Sequence, residues 1–168
     1  FTNLTRDHLD YHGTMENYFQ AKRRVFTMCK TAVINIDDEY GKRLAQEFSD
    51  IAVTYSAEGN ADYHAEFIRM NATGCSYMLV NEREKTACRV DMNMTGLYNV
   101  QNSLCAIAMV TALGFDMTEC AKALSDLDGV DGRMNVVYRG DFTVITDYAH
   151  TDDALIKVLS TLKPLTKG

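Results

Sequence analysis

The sequence predicts an α/β fold, a mixed sheet with flanking helices and a small antiparallel sheet. Three observations carry that expectation. Short β-branched runs alternate with segments of helical period along most of the chain. The stretch from Tyr63 to Met92 breaks into strand-like runs joined by turn sequences. At 168 residues and 46% hydrophobic, the chain also has enough apolar side chains to bury a core.

Taken in order, Phe1-Thr2-Asn3-Leu4 reads as the tail of a buried strand with no initiating Met, so the chain is expected to begin inside a longer protein. Thr14 caps a helix running to about Cys29, with Glu16 in the first turn where a negative charge suits the macrodipole. Ala32 to Ile36 is a β-branched run that predicts a buried strand, Tyr40 to Phe48 a helix and Ile51 to Tyr55 a second strand. His64 to Met70, Ser76 to Val80 and Thr86 to Met92 then predict a small antiparallel sheet, turning at Asn71-Ala72-Thr73-Gly74 and at Asn81-Glu82-Arg83-Glu84. Leu97 to Leu113 is an almost wholly apolar helix stopped by Gly114, and Asp116-Met-Thr-Glu119 opens another in the manner of a capping box. After the bend Gly129-Val-Asp-Gly132 come strands near Val136 and at Thr143 to Asp147, then a helix from about Asp152 to Leu162.

Composition narrows the function. Seventeen basic against twenty-three acidic residues give a net charge of -6, with no Lys/Arg cluster of the kind that neutralises a phosphate backbone, so nucleic acid is not an expected partner. No apolar run is long enough to insert in a membrane. The five cysteines, Cys29, Cys75, Cys88, Cys105 and Cys120, are scattered without a C-x-x-C pair, which fits a reducing cytoplasm better than a disulfide framework or a zinc site.

Lys22 is the residue hardest to explain as scaffold. On a helical wheel Met15, Tyr18, Phe19, Val25, Phe26 and Cys29 form an apolar stripe, and Lys22 falls at its centre. Two readings are open: a lysine that lays its stem over apolar surface while its ammonium reaches water or an acid, or a desolvated neutral amine able to capture carbon dioxide as a carbamate, which turns a cation into a metal-binding anion. Upstream, Asp7-His8-Leu9-Asp10-Tyr11-His12 puts two imidazoles and two carboxylates on a loop, compatible with a metal site or with an ordinary surface.

Five ordered blocks then give a resemblance. Asn3 to Gly13 (NLTRDHLDYHG), Tyr18 to Lys22 (YFQAK), Gly96 to Asn102 (GLYNVQN), Asp131 to Met134 (DGRM) and Asp147 to Thr151 (DYAHT) are similar, in order, to motifs of the Mur ligases, closest to the type that adds the third amino acid to the muramyl peptide. The resemblance implies an ATP-dependent ligase of peptidoglycan synthesis that uses ATP and Mg2+. It would activate the terminal carboxylate of UDP-N-acetylmuramyl-dipeptide as an acyl phosphate for attack by a free amino acid, lysine or diaminopimelate. It assigns His8 and Lys22 to magnesium, with Lys22 carbamylated, and Asn99, Asn102, Arg133, Asp147 and His150 to the nucleotide. His12 and His64 receive no role.

Two positions depart from the family's pattern: Asn135 stands where Glu is usual, and Asp152 where Pro is usual. The 168 residues contain no glycine-rich phosphate loop, UDP-sugar domain or amino-acid-selecting motif. The resemblance therefore implies that residues 1–141 are the C-terminal part of a central ATP-binding domain and 142–168 the first strand and helix of a C-terminal ligase domain, inactive alone. The rival expectations are a folylpolyglutamate synthetase-like ligase and a non-catalytic interaction module.

Overall fold

The computed structural model describes residues 1–71 and 73–166. Its elements are α1 (Leu9–His12), α2 (Met15–Arg23), β1 (Ala32–Asn35), α3 (Glu39–Glu47), β2 (Ala52–Ser56), β3 (Tyr63–Asn71), β4 (Gly74–Asn81), β5 (Thr86–Met92), α4 (Leu97–Ala112), α5 (Met117–Ser125), β6 (Asn135–Arg139), β7 (Thr143–Thr146) and α6 (Asp152–Leu162), with a 3-10 turn at Arg24–Thr27.

Strands β1 to β5 form one sheet in chain order, and β6 and β7 a separate antiparallel pair. β1 and β2 run parallel, with Ala32 opposite Ala52 and Asn35 opposite Tyr55. The main chain of Phe1 hydrogen-bonds β1 on its outer side, donating to the Val33 carbonyl and accepting from Asn35 N. Phe1 thus pairs with β1 as the end of a strand would, where the sequence predicts a strand tail, although no strand is assigned there.

The 63–92 segment is antiparallel as expected, but it continues the main sheet. β3 lies parallel to β2 over Tyr55–Tyr63 and Ser56–His64 only. The start of β3 sits beside the end of β2, so the chain does not have to return across the sheet, as a fully overlapping parallel pair requires. The side chain of Asp62 secures the junction by accepting from Thr54 N at 2.7 Å and from Arg83. Both hairpin turns close on an asparagine: Asn71 Oδ1 accepts from Thr73 N and Gly74 N, and Asn81 Oδ1 from Arg83 N and Glu84 N. Ala72, within the first turn, lies outside the described residues.

Apolar side chains form two clusters. Val53, Tyr55, Tyr77, Leu79, Val90 and Met92 from the sheet pack with Val100, Leu104, Ile107 and Ala108 of α4 and Met117 and Ala121 of α5. Ala32, Ile34 and Ala52 pack with Leu4, Phe19, Phe26 and Leu44. Alternate residues of β1 join different clusters, so β1 is covered on both faces, whereas β4 shows the period-2 burial of a strand covered on one. Gly41 is required where α3 passes β1, because a β-carbon there would collide with the Asn35 carbonyl oxygen.

α2 is shorter than the sequence implies. Thr14 caps it as expected, accepting from Asn17 N at 3.1 Å, but the α-helix ends at Arg23 and the chain tightens into the 3-10 turn. The stripe drawn through Cys29 is thereby broken: Phe26 is buried, Val25 is 57% exposed and Lys22 is half-buried. α1 is a four-residue helix where the sequence reads as loop. All five cysteines are free, and no helix of the described residues is long and apolar enough to cross a membrane.

Candidate functional site

The carboxyl ends of β1 and β2 face the N-terminal turn of α4, the position where ligands gather in open α/β sheets. Asn35, the last residue of β1, is buried; its amide donates to the Thr2 carbonyl at 2.8 Å and accepts from Asp37 N. Asp37 in turn takes Ser56 Oγ, Ala57 N at 2.9 Å and Gln101 Nε2 at 2.9 Å. One carboxylate thus holds the ends of both parallel strands against the second turn of α4. Asp38 caps α3 through Tyr40 N and Gly41 N and accepts from Leu4 N, which fixes the N-terminal segment along the same edge.

Between these groups and the chain from Asp147 to Val158 opens a cleft of about 670 Å³, within the range of small-molecule sites. Its lining includes Asn99, Asn102, Arg133, Asp147 and His150, so the five residues expected to meet a nucleotide are brought together from three separate stretches. They are not equivalent. Asn99 is buried, and its amide donates to the Thr95 carbonyl at 2.8 Å, tying the first turn of α4 to the chain before it. Asn102 is exposed to the cleft.

Asp147 is a latch between motifs. One of its carboxylate oxygens accepts from Met134 N at 2.9 Å and the other from Ala149 N at 2.7 Å, while Tyr148 N donates to the Gly132 carbonyl. These bonds hold the bend before β6 against the chain after β7. Met134 is buried there in the left-handed region at φ 48°, a conformation few non-glycine residues adopt. The Arg133 guanidinium lies over the Tyr148 ring at 5.4 Å, and the ring of exposed His150 meets Tyr148 edge-on at 5.0 Å. Thr151 caps α6, accepting from Ala154 N at 3.3 Å, and Asp152 at the first helical position suits the positive end of the dipole.

His8 and Lys22 stand outside this lining but adjoin it. Lys22 Nζ donates to the carbonyl of Asn3, a lining residue, and lies 5.1 Å from the Tyr18 ring centroid. His8 is exposed, adopts φ 52°, and approaches the edge of the same Tyr18 ring at 6.1 Å. Tyr18, stacked on His12 at 4.6 Å, is the element that gathers all three. Among the described residues no group of three His, Cys, Asp or Glu could hold a metal ion. An ammonium is not a ligand, so Lys22 joins His8 in a donor set only if it is modified. His64 is buried, with Nδ1 against the Ala61 carbonyl at 3.2 Å, a core histidine away from the cleft.

Sequence reasoning missed Asn35, Asp37, Gln101 and Tyr98. Gln101 lies inside one of the five blocks, but its partner Asp37 is 64 positions away. Tyr98 also lines the cleft; its phenol is pushed up to about 12 by burial, with the Asp147 charge adding to the effect and Arg133 opposing it.

Comparison with known proteins identifies the family. The family described as Mur ligase middle domain matches residues 1–110. A UDP-N-acetylmuramoyl-L-alanyl-D-glutamate–2,6-diaminopimelate ligase of Clostridium botulinum is 39% identical, over 100% of this chain and 35% of its own length. A solved structure of such a ligase superposes with a TM-score of 0.78 at 36% identity, covering 96% of this chain and 34% of that one. A MurF ligase from Thermotoga maritima, solved in complex with ADP, shares the fold at a TM-score of 0.77 and 17% identity, over 96% of this chain and 38% of that one. The chain spans about a third of the length of the curated relatives it matches, and with the middle-domain match covering most of it, the chain belongs to the Mur ligase family.

Proposed function

We propose that the chain is part of an ATP-dependent ligase that joins diaminopimelate to UDP-N-acetylmuramyl-dipeptide in peptidoglycan synthesis, in the cytoplasm. The observation that carries the reading is the convergence of Asn99, Asn102, Arg133, Asp147 and His150 on one cleft at the carboxyl ends of the parallel strands. The relatives named as diaminopimelate ligases favour that amino acid over lysine.

In this reading ATP supplies the phosphoryl group that makes the dipeptide carboxylate electrophilic. The chain's own residues bind and orient the nucleotide. Asn102 offers an amide to the base, and Arg133, held over the Tyr148 ring, offers a planar guanidinium to oxygen atoms. Asp147 keeps the two loops that flank the nucleotide at a fixed separation, with His150 at the rim. Lys22 as a carbamate would supply two hard oxygen donors suited to Mg2+, with the His8 imidazole against the same Tyr18 ring as a further ligand. Residues 1–141 belong to the ATP-binding domain and 142–168 to the ligase domain, the division falling in the turn of the β6–β7 hairpin.

The test is the full-length protein supplied with ATP, Mg2+, UDP-N-acetylmuramyl-dipeptide and either diaminopimelate or lysine. ADP and a muramyl tripeptide should form with diaminopimelate and much less with lysine. ATP turnover with glutamate and a folate instead would establish the folylpolyglutamate-type reaction, and no turnover with any acceptor would favour an interaction module.

A further inference from the structure

The imidazole of His12 and the ring of Tyr18 take no part in the lining of the cleft. They lie face to face across the junction of α1 and α2, 13° apart in plane and 4.6 Å apart between centroids. α1 is a single turn. Such a turn does not persist on its own hydrogen bonds, because ordering the first turn costs more than its bonds return, so contacts with a neighbour must hold it. Two of these meet at His12: its ring is stacked on Tyr18, and its carbonyl accepts from Asn17 Nδ2 at 3.0 Å. At the other end of the turn the His8 carbonyl accepts from Tyr11 N and from His12 N at 3.0 Å, and His8 itself is held at φ 52°, a conformation few non-glycine residues adopt. The His8 ring meets the edge of Tyr18 at 6.1 Å. Lys22 stands four residues after Tyr18, hence on the same side of α2, with Nζ 5.1 Å from the same ring centroid. Between the two helices the chain runs through Gly13 at φ 72°, a joint with no side chain to stiffen it.

We infer that His12 and Tyr18 are positioning residues: their stack fixes the turn that begins at His8 against the helix that carries Lys22, and so sets the separation of the two side chains assigned to Mg2+. Neither ring is itself a ligand; both act through His8 and Lys22. Without the stack the two elements are joined by the Gly13 joint and the Asn17 bond, and His8 is free to swing away from Lys22. The inference rests on the magnesium reading of His8 and Lys22 given above.

The test uses full-length protein in bicarbonate buffer, to which Mn2+ is added in place of Mg2+ and the free ion read by electron paramagnetic resonance, with no nucleotide and no turnover. His12→Ala and Tyr18→Leu should each bind Mn2+ about tenfold more weakly, the loss of one aromatic pair. His12→Phe and Tyr18→Phe, which keep a pair of rings, should stay within about twofold of wild type. The metal-free thermal midpoint of His12→Ala should equal that of wild type, because no residue of α1 is buried. A Mn2+ affinity within twofold of wild type in His12→Ala overturns the inference. So does His12→Phe binding as weakly as His12→Ala, which would make the imidazole a ligand in its own right, and so does a lowered metal-free midpoint in His12→Ala, which would make the loss one of general stability. His8→Ala separates the two readings. If it binds Mn2+ as tightly as wild type, the magnesium reading falls and this inference falls with it; if it loses Mn2+ while His12→Ala keeps it, only the role of the stack is removed.

Discussion

Asn99 and Asn102 are a single residue type at helical spacing, yet they sit in opposite environments and their substitution should have opposite signatures. Asn99 is buried with its amide on the Thr95 carbonyl. Asn99→Ala leaves that carbonyl without its donor and should cost about 1–3 kcal/mol in a denaturant titration. Asn102 faces the cleft, so Asn102→Ala should change stability by less than about 0.5 kcal/mol while weakening ATP binding in the full-length protein. Unchanged ATP affinity in a stable Asn102→Ala protein would remove its assignment to the nucleotide. Lys22 is tested at the same scale. Lys22→Ala in the full-length protein should abolish most ligase activity, and a short-chain carboxylic acid should restore part of it by placing a carboxylate where the proposed carbamate would stand. Full activity in Lys22→Ala would refute the carbamate role.

At the scale of elements, the junction of β2 and β3 is held by polar contacts rather than by a long parallel ladder. Asp62 joins Thr54 of β2 to Arg83 in the turn after β4. Burial alone would raise the carboxyl's pKa, but the bonds from Arg83 and Thr54 outweigh it and the group titrates below its ordinary range. A depressed carboxyl contributes stability that is present above the unfolded value and is lost as pH falls through the folded one. Asp62→Asn should therefore unfold at a lower midpoint than wild type at pH 7, and the difference should close once the pH is below the ordinary aspartate range. A gap that persists in acid would show that the charge is not what matters at this position.

Elements whose cause is local were legible in the sequence. β1 and β2 announce themselves as β-branched runs, Asp116 caps α5 through Glu119 N, and Asn71 and Asn81 close their turns with their own side chains. What escaped depends on contacts between distant positions or on a change of helical period. The 3-10 turn at Arg24 rotates Val25 outward, which a wheel of constant period does not anticipate. α1 is a single turn, too short to show a period. The staggered β2–β3 pairing leaves no pattern of its own because it spans two residue pairs. The site divides in the same way: its motif residues were visible as blocks, whereas the Asp37–Gln101 bond exists only after α4 has packed on the sheet.

At the scale of the whole molecule, stability and chemistry lie in different regions. The larger cluster places Leu104 wholly inside, between α4 and the sheet. Leu104→Ala should lower unfolding free energy by about 2–5 kcal/mol. Leu159 of α6 is 62% exposed, and Leu159→Ala should change it by less than about 0.5 kcal/mol. A larger loss at Leu159 than at Leu104 would overturn this division. The cleft lies between the well-buried sheet with α4 and the more exposed chain from Gly132 to Val158, a stretch that the Asp147 latch ties to itself. The central claim is that ATP occupies this cleft. Photolabelling of the full-length protein with 8-azido-ATP, followed by peptide mapping, tests it most directly. Labelled peptides should cover residues 94–106 and 147–158, and unlabelled ATP should suppress them. Labelling that ATP suppresses only at positions remote from both stretches would contradict the account.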